Sequence, residues 1–510
     1  MTHGYVFHPS IRHVLSPAAA LAFLALMSGC AVGPDFERPG APAVNGYTRE
    51  PLVANTSTTD IVGGEAQRFV LNQDISSQWW TMFQSPQLNA LIDKALAANP
   101  TITAAEAALR QARELVYAQQ GFFFPTVQAN FTPGTFRSSP ATSPLLSTPS
   151  TNYNLYTATV TVGFVPDVFG GNRRQVESLR AQAESQRFQL EATYLTLTSN
   201  VVTAAVQEAS LRAQVAATKD IIAISTKSLE LLRHQFQLGY VARLDVAAQE
   251  AALAQVQQTL PPLQKQLEQT RDQLIALAGR FPTLELTEAF ELSGLHLPQD
   301  LPVSLPSKLV EQRPDIREAE EQVHAASAQI GVAIANMLPQ ITINGATGGI
   351  GTDVTTMFGP GHPFAFVAST FTQTLFAGGT LLHRKRAAEA AFEQAAAQYR
   401  STVITAFQNV ADSLYALQND AESLKSALAA ERAAKVTLDL TLKQQQAGYV
   451  NYLALLNAQQ AYQQAVITHV QAQANRFADT AALFQALAGG WWNRQDDTAA
   501  KTVSQASERR

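Results

Sequence analysis

The chain has 510 residues, 46% of them hydrophobic and only 15% charged, with a formal net charge of −5. That composition supplies a large buried core or interface and excludes an overall disordered chain. With no basic domain, it also excludes the electrostatic footprint of a nucleic-acid partner. A single cysteine, Cys30, rules out a disulfide framework and a thiolate metal site.

Residues 1–29 read as a secretory signal. Arg12 and three early histidines precede an apolar run from Val14 to Met27, too short for a stable spanning helix. The run closes on Leu26-Met27-Ser28-Gly29-Cys30. Small residues before a cysteine resemble a bacterial lipobox, in which the cysteine becomes the lipidated first residue; an ordinary signal peptide is the alternative. Ala31 follows, with no aspartate to suggest inner-membrane retention. Residues 30–75, rich in Pro, Gly, Thr and Val, form an extended, irregular arm. No later stretch reaches 18 consecutive apolar residues, so any membrane crossing requires a β-barrel.

The remainder is one plan written twice. Helical stretches run from Asn99-Pro100 to Phe124-Pro125 and from Arg313-Pro314 to Leu338-Pro339, with the prolines 25 positions apart each time. Glu106 and Glu320 fall at the same offset, and glycine pairs follow at Gly170-Gly171 and Gly378-Gly379. Long helical regions then end at Gly239-Tyr240-Val241 and Gly448-Tyr449-Val450, and both copies close on Leu-Ala-Gly. The copies lie about 210 residues apart. The first spans 76–279 and the second 307–489, with a Pro- and Leu-rich segment at 280–306 and a polar tail at 490–510.

Asn172 to Leu238 holds 67 residues without proline, and Thr380 to Ala447 holds 68. At 1.5 Å per residue each helix is about 100 Å long. Leu190, Tyr194, Leu197, Val201 and Ala205 recur at helical spacing, which suits coiled-coil-like packing. A second helix returns from each turn, at Arg243 to Ala278 and Tyr452 to Ala488. Pro261-Pro262 must kink or interrupt the first of these, whereas the second has no such break.

Between helices the period changes to two. Val127, Ala129 and Phe131 alternate with Gln128, Asn130 and Thr132 in 126–134. In 153–165, Tyr156, Ala158, Val160, Val162 and Phe164 oppose Leu155, Thr157, Thr159 and Thr161. Ile341 and Ile343 alternate with Thr342 and Asn344 in 340–348; in 364–376, Val367, Phe371 and Leu375 oppose Thr370, Thr372 and Thr374. A small soluble sheet and a membrane barrel both fit this pattern. Four strands cannot close a barrel, since the smallest have about eight, and lipid does not tolerate open edges. Spanning strands therefore require several chains to share one barrel.

Three stretches carry a family resemblance covering nearly the whole mature chain. They are Trp79-Trp80, Phe83, Pro86, Leu88, Leu91-Ile92, Ala95-Leu96 and Asn99; Arg313-Pro314-Asp315-Ile316-Arg317 with Ala319-Glu320, Ile330-Gly331 and Pro339; and Gly448-Tyr449-Val450 with Tyr452-Leu453 and Leu456-Asn457-Ala458-Gln459. The chain resembles the outer membrane factor family of efflux proteins, in particular its lipoprotein branch. The resemblance implies a mainly α fold with a small transmembrane β part. A homotrimer would form a β-barrel in the outer-membrane lipid, four strands per chain, continuous with a periplasmic α-helical barrel and an equatorial domain. It further implies a periplasmic adaptor, an inner-membrane efflux transporter, no cofactor and no chemistry.

In such a duct the constriction carries function. Gly239, Tyr240, Gly448 and Tyr449 mark the periplasmic tip, where glycine also simply ends a helix. Relatives place acidic residues on the inner face of the tip; here that position holds Asn457. Asp245, with Arg243 as its possible partner, is the remaining acidic candidate. Tyr449 and Tyr452 would plug the aperture or pack between hairpins. The six mature histidines lie far apart with no HExxH, and no GxSxG, Walker A or GxGxxG element occurs. A protein-secretion duct of the same architecture, or a trimeric coiled-coil surface lipoprotein of structural or adhesive type, are the competing readings.

Overall fold

A computed structural model describes residues 31–44, 46–137 and 152–494. The signal segment, Cys30 and the tail beyond Arg494 lie outside the described residues. These residues divide into two compact units: the arm to Arg38 with Arg110–Ser185 and Glu320–Ala397, and Pro39–Leu109 with Gln186–Ala319 and the chain from Gln398.

The first unit holds a four-stranded antiparallel sheet of β2 (Thr126–Arg137), β3 (Asn152–Phe164), β5 (Gln340–Gly351) and β6 (Pro363–Thr372), in that order. Its register places each apolar set on one face. Val127 pairs with Val162, Ala129 with Val160 and Phe131 with Ala158; Phe164 pairs with Ile343 and Ile341 with Phe371. Opposite, Gln128 faces Thr161, Asn130 faces Thr159 and Thr342 faces Thr370. Directly opposed residues share a face, so a one-residue slip would mix the two sets.

Strand β6 ends at Thr372, four residues before the end expected from alternation. Its partner β5 begins at Gln340, after Pro339, so the ladder runs out at the Gln340–Thr372 pair. Gln373 instead donates from Nε2 to the Met337 carbonyl at 3.2 Å.

The arm is anchored within this unit. Val32 donates its amide to the Phe169 carbonyl at 3.1 Å. Arg174 donates to the Val32 carbonyl at 3.1 Å and pairs with Asp35 at 2.7 Å. Gly33 lies so close to Gly331 that a Cβ on it would come within 2.4 Å of the Gly331 Cα. Phe36 stacks on His324 with ring centroids 4.3 Å apart.

The second unit packs α1 (Pro86–Ala98) and the middle stretches of the two longest helices around Trp79, Phe83, Phe477 and Phe484. Trp79 stacks on Phe484 at 5.4 Å. The arm is not irregular throughout: β1 (Arg68–Leu71) pairs in parallel with β4 (Asp300–Val303), a pairing that joins segments too distant for local patterning to reveal. Arg476, fully buried on α9 (Tyr452–Ala486), donates to the carbonyls of Gly63 and Glu65, each at 3.0 Å. The polar tail also begins ordered, since Trp491 Nε1 donates to the Gln312 carbonyl at 2.6 Å.

Helices α2 (Pro100–Gln120), α3 (Gly171–Gln237), α7 (Pro314–Ala335) and α8 (Thr380–Gln446) each pass from one unit into the other. α3 and α8 are each 67 residues long. The return helix of the first copy is split into α4 (Arg243–Gln257) and α5 (Leu260–Leu277), with prolines at the start of α5. Pro261 and Pro262 lack the amides that would continue the ladder. In the second copy α9 runs unbroken. Between the copies lies the short α6 (Pro306–Gln312). Among the described residues no helix is long and apolar enough to cross a membrane.

Candidate functional site

Both hairpin turns are built by the same backbone device. At the first, the Gly239 amide donates to the Phe236 carbonyl at 3.0 Å and the Tyr240 amide to the Gln235 carbonyl at 2.9 Å. At the second, Gly448 donates to Gln445 at 3.0 Å and Tyr449 to Gln444 at 2.9 Å. These paired bonds are a Schellman termination, which needs a left-handed residue. Gly239 and Gly448 supply it at φ of 78° and 77°.

The return helices are then capped in opposite ways. Asn451 accepts the Ala454 amide on its side chain at 3.1 Å. At the matching place in the first turn stands Ala242, which has no side-chain acceptor. There Asp245 reaches back instead and accepts the Ala242 amide at 3.1 Å. Each turn therefore carries one half of a capping box.

This geometry corrects one expectation and decides between two readings of Tyr452. Arg243 does not pair with Asp245; its guanidinium lies 3.6 Å from Glu250, which Arg233 also holds at 2.9 Å. The Arg233 hydrogen bond is the main reason that the Glu250 carboxyl sits below its ordinary pKa. Asp245 is occupied in capping its own helix, and a carboxylate near a helix N-terminus is favoured there. Tyr452 is 6% exposed, so it does not reach across an aperture. Its hydroxyl donates to Gln249 on α4, and Gln249 Nε2 donates to the Ser225 carbonyl at 2.8 Å. Burial, with the Asp245 charge nearby, pushes the Tyr452 phenol well above its ordinary range.

Tyr452 thus joins the two hairpins in a core of Leu229, Leu232, Val246, Leu438 and Leu455. Tyr240 and Tyr449 stand free at 78% and 84% exposure, beside exposed Leu244 and Leu453. Asn457 is exposed on α9. Gln249 and Glu250 escaped the sequence reading. The signal was the spacing: Gln249 falls between Val246 and Leu253 on the buried face of α4, where a polar residue needs a partner.

Comparison with known proteins places this arrangement. The outer membrane efflux protein family matches residues 91–280 and 305–489, and the chain belongs to that family. It is a family of transport channels in the outer membrane rather than of enzymes. Among relatives, the probable efflux pump outer membrane protein TtgC of Pseudomonas putida is 25% identical over 477 residues, 93% of this chain and 95% of its own. The pyoverdine export outer membrane protein OpmQ of Pseudomonas aeruginosa is 26% identical over 83% of this chain and 90% of its own. The solved outer-membrane channel OprN superposes with a TM-score of 0.80 at 25% identity, covering 91% of this chain and 100% of that one. The fold is therefore the mainly α, four-stranded fold of outer-membrane efflux channels.

Proposed function

We propose that three copies of this chain form the exit duct of a tripartite efflux pump, conducting small solutes passively across the outer membrane. The observation that carries the reading is the sheet. Its four strands are amphipathic, and its outer edges, β2 and β6, have no strand partner among the described residues. Three copies would supply 3 × 4 = 12 strands, closing the edges that lipid does not tolerate. A periplasmic adaptor and an inner-membrane transporter would deliver the solute to the hairpin turns.

The gate in this reading is the pair of turns. The Tyr452–Gln249 bond holds one hairpin to the other, and opening requires it to break. Tyr240 and Tyr449, exposed in one chain, would make contacts between chains. At the position where acidic residues would set cation selectivity, Asn457 offers hydrogen bonds without charge.

Cys30 would anchor each chain through acyl groups, at roughly 0.8 kcal/mol per buried methylene. Cys30→Ala is expected to abolish acyl labelling; unchanged labelling overturns the anchor. The duct itself is tested by accumulation of a fluorescent amphiphile in cells lacking the chain. Higher retention, reversed by the wild-type chain, is the expected result, and unchanged retention with a range of dyes speaks against efflux.

A further inference from the structure

We infer that the duct holds its solute at one place on the way out, in a cavity where the sheet gives way to the helices. The ligand that fits the cavity's chemistry is an uncharged aromatic molecule carrying a hydrogen-bond acceptor. The inference rests on the reading of the sheet as a barrel wall whose polar face looks into the duct.

The cavity has a volume of about 630 Å³, within the roughly 300–1,000 Å³ of sites that take drug-sized ligands. One wall is the last stretch of the polar face. Thr126 pairs with Gly163 and Gly163 with Asn344, and all three line the cavity. A Cβ at Gly163 would stand 3.4 Å from Thr126 Oγ1 and 3.6 Å from Asn344 Oδ1, with nothing nearer. The missing side chain leaves a notch in the wall. Strand β3, which carries it, has partners on both sides within one chain. A neighbouring copy that closes the outer edges therefore leaves the notch open.

Past the last pair the polar face turns apolar. Phe124 and Val165 stand two residues before Thr126 and two after Gly163, so alternation assigns them to the polar set. The backbone at Phe124 is extended, at φ −114° and ψ 152°, which keeps that alternation. Yet these two apolar side chains are 70% and 52% exposed, and both line the cavity. On the lipid side such exposure is ordinary. On the duct side it is uncovered apolar surface, the kind that marks a binding groove.

The polar lining is neutral. Among the residues that line the cavity, Asp167 alone is charged, and its carboxylate is fully engaged. Its Oδ1 accepts the Asn172 amide at 2.9 Å, and its Oδ2 accepts the Arg173 amide at 2.9 Å and the Arg173 guanidinium at 3.2 Å. Asp167 thus fills the place at the start of α3 where the helix dipole would draw an anion. A second anion is repelled, and no free carboxylate remains for a cation. What is left is amide and hydroxyl. Asn344 is exposed in the wall. Asn172 accepts from Gln119 Nε2 at 2.6 Å through its Oδ1, while its Nδ2 is buried with no hydrogen-bond partner. Buried donors are normally paired, and an acceptor on the ligand supplies what is missing.

The test uses the wild-type full chain in lipid nanodiscs with hydroxymethyl benzophenone, an uncharged aromatic ketone that inserts into nearby C–H bonds under ultraviolet light. Adducts are mapped by peptide mass. The expected result is saturable labelling at Phe124 and Val165, displaced by excess benzamide. Probe dissolved in the lipid is expected to label Val127 and Val160, exposed on the apolar face, without saturation. Gly163→Leu, which fills the notch, should abolish the saturable component. Phe124→Ala, at an exposed ring, and Asn344→Leu should each weaken it roughly fivefold, the factor that one aromatic contact or one ordinary hydrogen bond is worth. No saturable labelling at the wild-type site overturns the inference, as does saturable labelling that all three substitutions leave unchanged. A benzophenone carboxylate that labels the site as well as the ketone overturns the assignment of an uncharged ligand. The lipid-dissolved probe separates the two failures. Apolar-face labelling without site labelling sinks this inference alone, whereas no labelling of the apolar face sinks the spanning-strand reading as well.

Discussion

At Gly239 and Gly448 a left-handed backbone is required, yet no heavy atom lies within 4 Å of where a Cβ would stand. Alanine at either place would therefore meet only the conformational cost of that region, about 1 kcal/mol. The expected outcome is faster hydrogen exchange at the Tyr240 or Tyr449 amide with the rest of the helix unaffected. Equal exchange rates would mean that the turn does not depend on the glycine. Asp420 offers a second residue-level test. Burial first, then the neighbouring Asp479, push its carboxyl from 3.8 to about 7, against the pull of Arg476. A carboxyl whose pKa is raised on folding destabilises the fold progressively as pH rises between those two values. Asp420→Asn should consequently melt higher than wild type above about pH 7 and the same below about pH 3.8. A constant difference across that range would show that titration is not involved.

The elements show which parts of the fold sequence can reveal. Proline and glycine spacing exposed the repeat because each such residue acts on its own backbone, and the break before Pro261 followed for the same reason. Strand alternation was legible in β2, β3 and β5. In β6 it overran to 376, because the end of a strand is set by its partner and β5 starts only at Gln340. The β1–β4 pairing and the Tyr452–Gln249 bond join residues 232 and 203 positions apart, and no local pattern records them. The arm's attachment is likewise tertiary. His324 lies between Glu321 at 3.3 Å and Glu177 at 3.1 Å and under Phe36, with Arg174–Asp35 and Arg38–Glu320 pairs alongside. The Glu321 hydrogen bond, then that of Glu177, raise its pKa above 6.5 against the effect of burial. Stability from the protonated ring is fully present below about 6.5 and is lost as pH climbs through the raised value. His324→Gln is expected to lower the melting temperature at about pH 5.5 and to leave it unchanged at about pH 8.5. An equal loss at both would mean that only ring stacking matters.

For the whole molecule, the proposed duct requires amphipathic strands from several chains to close one conducting barrel, with the hairpin turns as its gate. Composition and periodicity in one chain supplied the strands and the long helices, whereas assembly followed from a physical exclusion, the open edge in lipid. The residues of the hairpin turns were only partly legible. The turns announce themselves through glycine, but Tyr452 and Asp245 acquire their roles from partners elsewhere in the fold. Tyr452→Phe removes the hydroxyl that reaches Gln249, a loss of roughly 1 kcal/mol per chain, and leaves the buried ring in place. The most direct measurement is single-channel conductance of the purified chain in a planar bilayer, wild type against Tyr452→Phe. Stepwise openings that are more frequent or larger in the variant are the expected result. A silent bilayer from both proteins, with insertion verified, would contradict the barrel; equal conductance would leave the barrel standing and remove the gate from this hairpin contact.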